Sequence, residues 1–156
     1  MNINIGISES NRQAVANELA RILADEYVVY TKTRNAHWNV SGPDFYEKHK
    51  FFEDQFEELD AIIDSIAERI RSLGHPVPAS LKSFLSASKL PESDSAKTES
   101  GSFINELLSD HETIIKTLRS DISKFDNDFD DLGTSDFVTG LMQDHEKMAW
   151  LLRAHL

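Results

Sequence analysis

From Phe45 to Leu73 the apolar side chains recur in steps of three and four: Phe45, Phe52, Phe56, Leu59, Ile63, Ile66, Ile70 and Leu73, with His49 in the same line. That spacing paints one face of an α-helix and does not match the alternation of a half-buried strand. Gly74 supplies a stop, and Pro43 or Asp44 suits the first turn. A comparable segment runs from about Ser8 to Trp38, with Ala16, Leu19, Leu23, Tyr30 and His37 near one line. A third is expected from about Gly101 to Phe125, carrying Phe103, Leu107, Ile114, Leu118 and Ile122. A fourth should start with Thr134 or Ser135 as cap and carry Phe137, Leu141, Met142, Met148 and Leu152. Between the second and third lies a long connector with one short apolar turn (Leu81, Phe84, Leu85) and a polar run from Pro91 to Ser100. No strand pattern or internal repeat stands out. The expected fold is all-α: four helices in up-down-down-up order, with a short extra helix in the long connection.

With 156 residues, 40% of them hydrophobic, the chain is expected to form one domain over 1–156 with an ordinary core. It contains no Cys, which excludes disulfides, thiol catalysis and cysteine-held clusters. No stretch approaches a membrane span, and MNINIGISESNRQAV lacks the basic and apolar regions of a signal peptide, so a soluble cytoplasmic protein is expected. The formal charge of −11 opposes the phosphate neutralisation on which nucleic-acid binding depends.

The chemistry concentrates on the second helix. Beside its apolar face runs a second stripe, His49, Glu53, Glu57, Asp60, Asp64 and Glu68. Such a stripe can be a solvated acidic face. However, like charges one turn apart repel by a few tenths of a kcal/mol, and a cation relieves them. Imidazole plus carboxylate without thiol suits iron, manganese or zinc. No Glu is followed three residues later by His, so the usual di-iron centre inside one bundle is missing. His37 and His49 flank one turn and can face each other. Asp64 lies 15 residues beyond His49, about 22 Å along a helix, too far for one ion. Either there are two half-sites, or Asp64 and Glu68 meet the His pair of another copy across a two-fold axis.

The run His37-Trp38-Asn39-Val40-Ser41-Gly42-Pro43-Asp44-Phe45, followed by His49, Phe52-Glu53, Asp64 and Ala67-Glu68-Arg69, resembles the signature of the Dps family, the DNA-binding proteins from starved cells. The intervals from His37 are 12, 16, 27 and 31 residues to His49, Glu53, Asp64 and Glu68. The resemblance implies a ferritin-like bundle, assembled as twelve copies into a cage that oxidises ferrous iron, preferably with hydrogen peroxide, and stores ferric mineral. It implies iron ligands His37 and His49 from one copy with Asp64 and Glu68 from its mate. Glu53 stands where the family often has Asp, as a further ligand or bridging group. Trp38 would be either a redox neighbour of the site or packing at a subunit interface. Zinc or manganese remain possible substitutes for iron, and a metal-buffering cage or a DNA-coating protein with little redox work are the competing functions.

The family's iron-entry pore suggests a role for acidic residues near the end of the third helix, Asp126, Asp128, Asp130, Asp131 and Asp136; Asp136 keeps the family's spacing to Trp150 and the others align loosely. An exposed loop is the alternative. Direct DNA binding is expected to be weak or absent at neutral pH, because the first 11 residues hold no Lys or Arg and twelve copies would carry about −132 formal charges. His111 and His145, each in an Asp-His-Glu triplet, are expected on the surface. His75 and His155 receive no role.

Overall fold

A computed structural model describes residues 3–93 and 96–156; Met1 and Asn2 of the N-terminal stretch, and Asp94 and Ser95 of the polar run, lie outside the described residues. The elements are α1 (Glu9–Asn39), α2 (Phe45–Ser72), α3 (Leu81–Ala87), α4 (Ser100–Asn127) and α5 (Leu132–Arg153), and no strand occurs among the described residues. Helix α1 packs along α2 and α4 along α5, so two long hairpins make the bundle, while α3 lies against α1. No helix among the described residues is long and apolar enough to cross a membrane.

The spacing of apolar residues dictates this packing. Phe52, Leu59, Ile66, Ile70 and Leu73 of α2 and its C-cap are fully buried. They meet Leu19, Ile22 and Leu23 from α1, Phe103, Ile104 and Leu107 from α4, and Met148 and Leu152 from α5 in one continuous core. Phe52 and Phe103 pack edge to face, with centroids 6.2 Å apart. Polar groups anchor the long connection at both ends. Asp25 of α1 accepts hydrogen bonds from Ser88 Oγ (2.8 Å) and the Lys89 backbone N–H (2.7 Å), just after α3. Phe84 of α3 stacks on Tyr27 of α1 at 4.0 Å. Lys32 of α1, itself buried, reaches Glu106 and Asp110 of α4 and the Pro91 carbonyl. A buried cation satisfied from three directions holds α4 and the connector to α1, and losing Lys32 would leave the buried Asp110 carboxylate without its counter-ion.

Two boundaries differ from the sequence expectation for local reasons. Helix α5 begins three to four residues earlier, because Asp131 rather than Thr134 or Ser135 caps it: Asp131 accepts from Thr134 N–H at 2.9 Å and from Thr134 Oγ1 at 2.6 Å. Helix α4 continues past Phe125 to Asn127, and Asp130 then turns the chain with a positive φ of 54°.

Gly74 ends α2 at φ +93°, and a Cβ there would strike the Ile3 side chain. Gly74→Ala is therefore expected to lower stability by at least the ~1–2 kcal/mol cost of a left-handed backbone. That corresponds to a fall of at least about 2–4 °C in the thermal midpoint; an unchanged midpoint would contradict the account.

Candidate metal centre

The α1–α2 turn determines where the two histidines sit. Helix α1 ends where Val40 N–H reaches the Ala36 carbonyl, and Ser41 N–H then donates to the Thr98 carbonyl of the connector. Gly42 takes φ +120°, which permits the tight reversal. Asp44, at the N-terminus of α2, accepts from Ser100 Oγ at 2.7 Å, tying the turn to the start of α4. That hydrogen bond, above all, holds the Asp44 carboxyl below its usual range.

Across this hairpin His37 and His49 stack, with ring centroids 3.8 Å apart and planes at 22°. Each Nδ1 lies 2.8 Å from the other residue's backbone carbonyl oxygen. A carbonyl only accepts, so both Nδ1 atoms carry the hydrogen, and in the neutral imidazoles both Nε2 atoms present lone pairs. This is the tautomer that a metal-binding histidine needs, with its other nitrogen held by an acceptor. Phe56 packs its edge against His37 at 5.1 Å and Phe45 lies 5.2 Å from His49, so the pair has apolar walls. Arg34 lies over Phe56 (4.2 Å), Trp38 (4.8 Å) and Tyr30 (5.9 Å), a cation held by three rings beside the His pair.

Glu53 is on the next turn of α2 and partly exposed, with its carboxylate on Lys50. The hydrogen bond from Lys50, supported by His37 and His49, keeps the Glu53 carboxyl below the usual carboxylate range. Asp64 and Glu68 are exposed near the far end of the same helix. Glu57, Asp60 and Asp64 line an open cleft of about 420 Å³ whose floor includes Leu23, Tyr27 and Phe84. Among the described residues no three His, Asp or Glu side chains converge on a point that could hold a metal ion. A single copy thus keeps the His pair and the Asp64–Glu68 pair apart.

Several large hydrophobic side chains on these elements are exposed. Trp38 is 64% exposed, Tyr46 78% and Leu81 75%. A groove of about 400 Å³ runs between α1 and α3, lined by Tyr27, Trp38, Leu81, Phe84 and Leu85. Trp38 and Leu81 thus expose large apolar side chains along one groove, the kind of surface that interaction sites present.

The acidic residues beyond α4 separate into two kinds. Asp126, Asp128, Asp130 and Asp136 are exposed. Asp131 is only 2% exposed and, besides capping α5, accepts from Arg69 of α2 at 3.1 Å. Its carboxylate is committed inside the fold, which corrects its placement with an iron-entry pore. A second correction concerns His111 and His145, which are fully buried rather than on the surface. Their signal was present: His111 continues the line Leu107, Ile114, Leu118, and His145 follows Leu141 and precedes Met148. Glu26 likewise continues the inward line of Ile22 and Val29, and it too is fully buried.

Known proteins resemble this chain over nearly its full length. The family described as Ferritin-like domain matches residues 16–156. The chain is 40% identical over 154 residues to a low temperature-induced protein of Nostoc sp. strain PCC 7120, covering 99% of this chain and 86% of that protein. It is 35% identical over 146 residues to DNA protection during starvation protein 2 of Bacillus anthracis, covering 94% and 98%. Among solved structures, the Dps protein of Vibrio cholerae O1, described as a member of a superfamily of ferritin-like diiron-carboxylate proteins, superposes with a TM-score of 0.90 at 30% identity, covering 99% of this chain and 96% of that one.

If Asp131 acts as cap and counter-ion, Asp131→Ala should cost about 1–2 kcal/mol through the cap alone. Asp136→Ala, altering an exposed carboxylate, should change the unfolding midpoint in urea little. Equal, small effects of both substitutions would contradict the assignment.

Proposed function

Because this chain belongs to the ferritin-like family, and within it to the Dps proteins, we propose that it oxidises ferrous iron at sites shared between two-fold-related copies and retains the ferric product inside a twelve-subunit cage. The whole chain acts as a single ferritin-like domain in this reading. One observation carries the site assignment: the reciprocal Nδ1 hydrogen bonds of His37 and His49, which leave both Nε2 atoms ready to bind a cation. His37 and His49 hold ferrous iron from one copy, and Asp64 and Glu68 reach it from the mate. Two antiparallel α2 helices bring these pairs together twice. Glu53 serves as the further acidic group, exchanging Lys50 for metal. The exposed face of Trp38, Tyr46 and Leu81 supports covering by the second copy, and Trp38 then packs at the interface.

Iron is substrate and cargo here. Carboxylates favour the ferric product and imidazoles retain ferrous iron; two ferrous ions each give one electron to one hydrogen peroxide, whose O–O bond breaks and which takes up two protons to leave two waters and two ferric ions, with no hydroxyl radical released. Exposed Asp126 and Asp136 contribute to iron entry. Zinc and manganese compete for the same donors. The formal charge of −11 per copy leads us to assign DNA protection to the removal of iron and peroxide in the cytoplasm, with little direct DNA contact at neutral pH.

Purified protein mixed with anaerobic ferrous iron and then peroxide should develop ferric absorbance faster than a His37→Ala/His49→Ala variant. The difference should at least match the ten- to hundredfold effects seen when a ligand's supporting partner is lost; no difference would overturn the proposal. A plasmid mobility-shift assay at neutral pH and physiological salt should show free DNA, and a robust shift would refute the DNA reading.

A further inference from the structure

The bundle interior contains a titratable chain that takes no part in the proposed iron site. Glu26 of α1, His145 of α5 and His111 of α4 are all fully buried. His145 Nε2 lies 2.9 Å from Glu26 Oε1, and His145 Nδ1 lies 2.9 Å from His111 Nδ1. The other ends of the chain, Glu26 Oε2 and His111 Nε2, have no hydrogen-bond partner. Polar atoms left open in a core are costly, so the three groups are a standing expense in stability that an apolar core would avoid.

The Nδ1–Nδ1 contact restricts the proton inventory. Two N–H groups pointed at each other would collide, and two lone pairs would repel. A 2.9 Å separation therefore requires one hydrogen between the rings. When both imidazoles are fully protonated, that bond cannot exist. We propose that the Glu26–His145–His111 chain is an acid-sensitive fastener joining α1, α4 and α5, closed while the two rings share one Nδ1 hydrogen and opened when both become imidazolium.

Neighbouring charges do not relieve the cluster. On α4, Asp110 is committed to Lys32 of α1. On α2 the only buried charged side chain is Lys48, at the start of the helix, which pairs with Glu47 and donates to His155. Burial first, and then His145, push His111 well below the ordinary histidine range. An unfolded His111 takes up a proton below about pH 6.5 whereas the folded one does not. Stability that is fully present above that pH is therefore lost as pH falls below it.

Histidine C2–H exchange read by mass spectrometry follows each ring in the assembled protein. His111 is expected to show no inflection from about pH 8 to 5, and an inflection near the free-histidine value of about 6.5 in the intact fold would overturn the proposal. Amide exchange corrected for intrinsic rates reads the opening of α4 and α5. Between about pH 7.5 and 5 their opening constant should rise about thirty-fold more in the unaltered chain than in His111→Gln or His111→Phe. The same pH dependence in all three would overturn it, and if neither variant folds, the C2–H measurement on the unaltered chain decides.

Discussion

Two hydrogen bonds, from His37 Nδ1 to the His49 carbonyl and from His49 Nδ1 to the His37 carbonyl, join the end of α1 to the start of α2 and orient the groups from which function is proposed. Each bond does two things at once. It ties one helix to the other across the hairpin, and it selects the ring tautomer that leaves Nε2 with a free lone pair. Geometry then does the rest. Because α2 is one unbroken helix from Phe45 to Ser72, Asp64 and Glu68 are held far from the histidines of their own chain. A rigid rod with imidazoles near one end and carboxylates near the other supplies each half of the proposed two-fold site. The exposed Trp38 of α1 and Leu81 of α3, which line one groove, are the apolar surface that the proposed second copy would cover.

Much of this was legible in the sequence because the bundle is built on a regular period. The three- and four-residue steps located all four long helices, and the apolar turn at Leu81, Phe84 and Leu85 located α3. Boundaries at α5 were harder to read, since Asp131, Thr134 and Ser135 are all good caps, and the contact of Asp131 with Arg69 is tertiary and leaves no local mark in the sequence. The histidine pair on either side of the turn was readable from spacing. Its tautomer was not, because backbone carbonyls of a folded hairpin leave no mark in the sequence.

The buried polar cluster shows the opposite failure. His111 and His145 fall on inward lines of their helices, yet their polarity and acidic neighbours suggested the surface; Glu26, on the inward line of α1, drew no reading. Position on the helix outweighed residue type once partners on three helices were available. The negative charge also proved to be of two kinds. Asp25, Asp110 and Asp131 are internal and paired with α1, the connector or Arg69, whereas Asp64, Glu68 and Asp136 remain exposed and available to cations. A single net figure conceals that division between structural and chemical carboxylates.

The central claim is that each metal site draws its ligands from two copies, and complementation tests it most directly. One variant would lack both histidines (His37→Ala/His49→Ala) and the other both carboxylates (Asp64→Ala/Glu68→Ala). Each should be inactive alone in ferrous oxidation. Unfolded together and reassembled at equal ratio, random two-fold pairing restores the full ligand set at roughly a quarter of the sites, and activity should return in that proportion. A mixture no more active than its two parents would contradict the account.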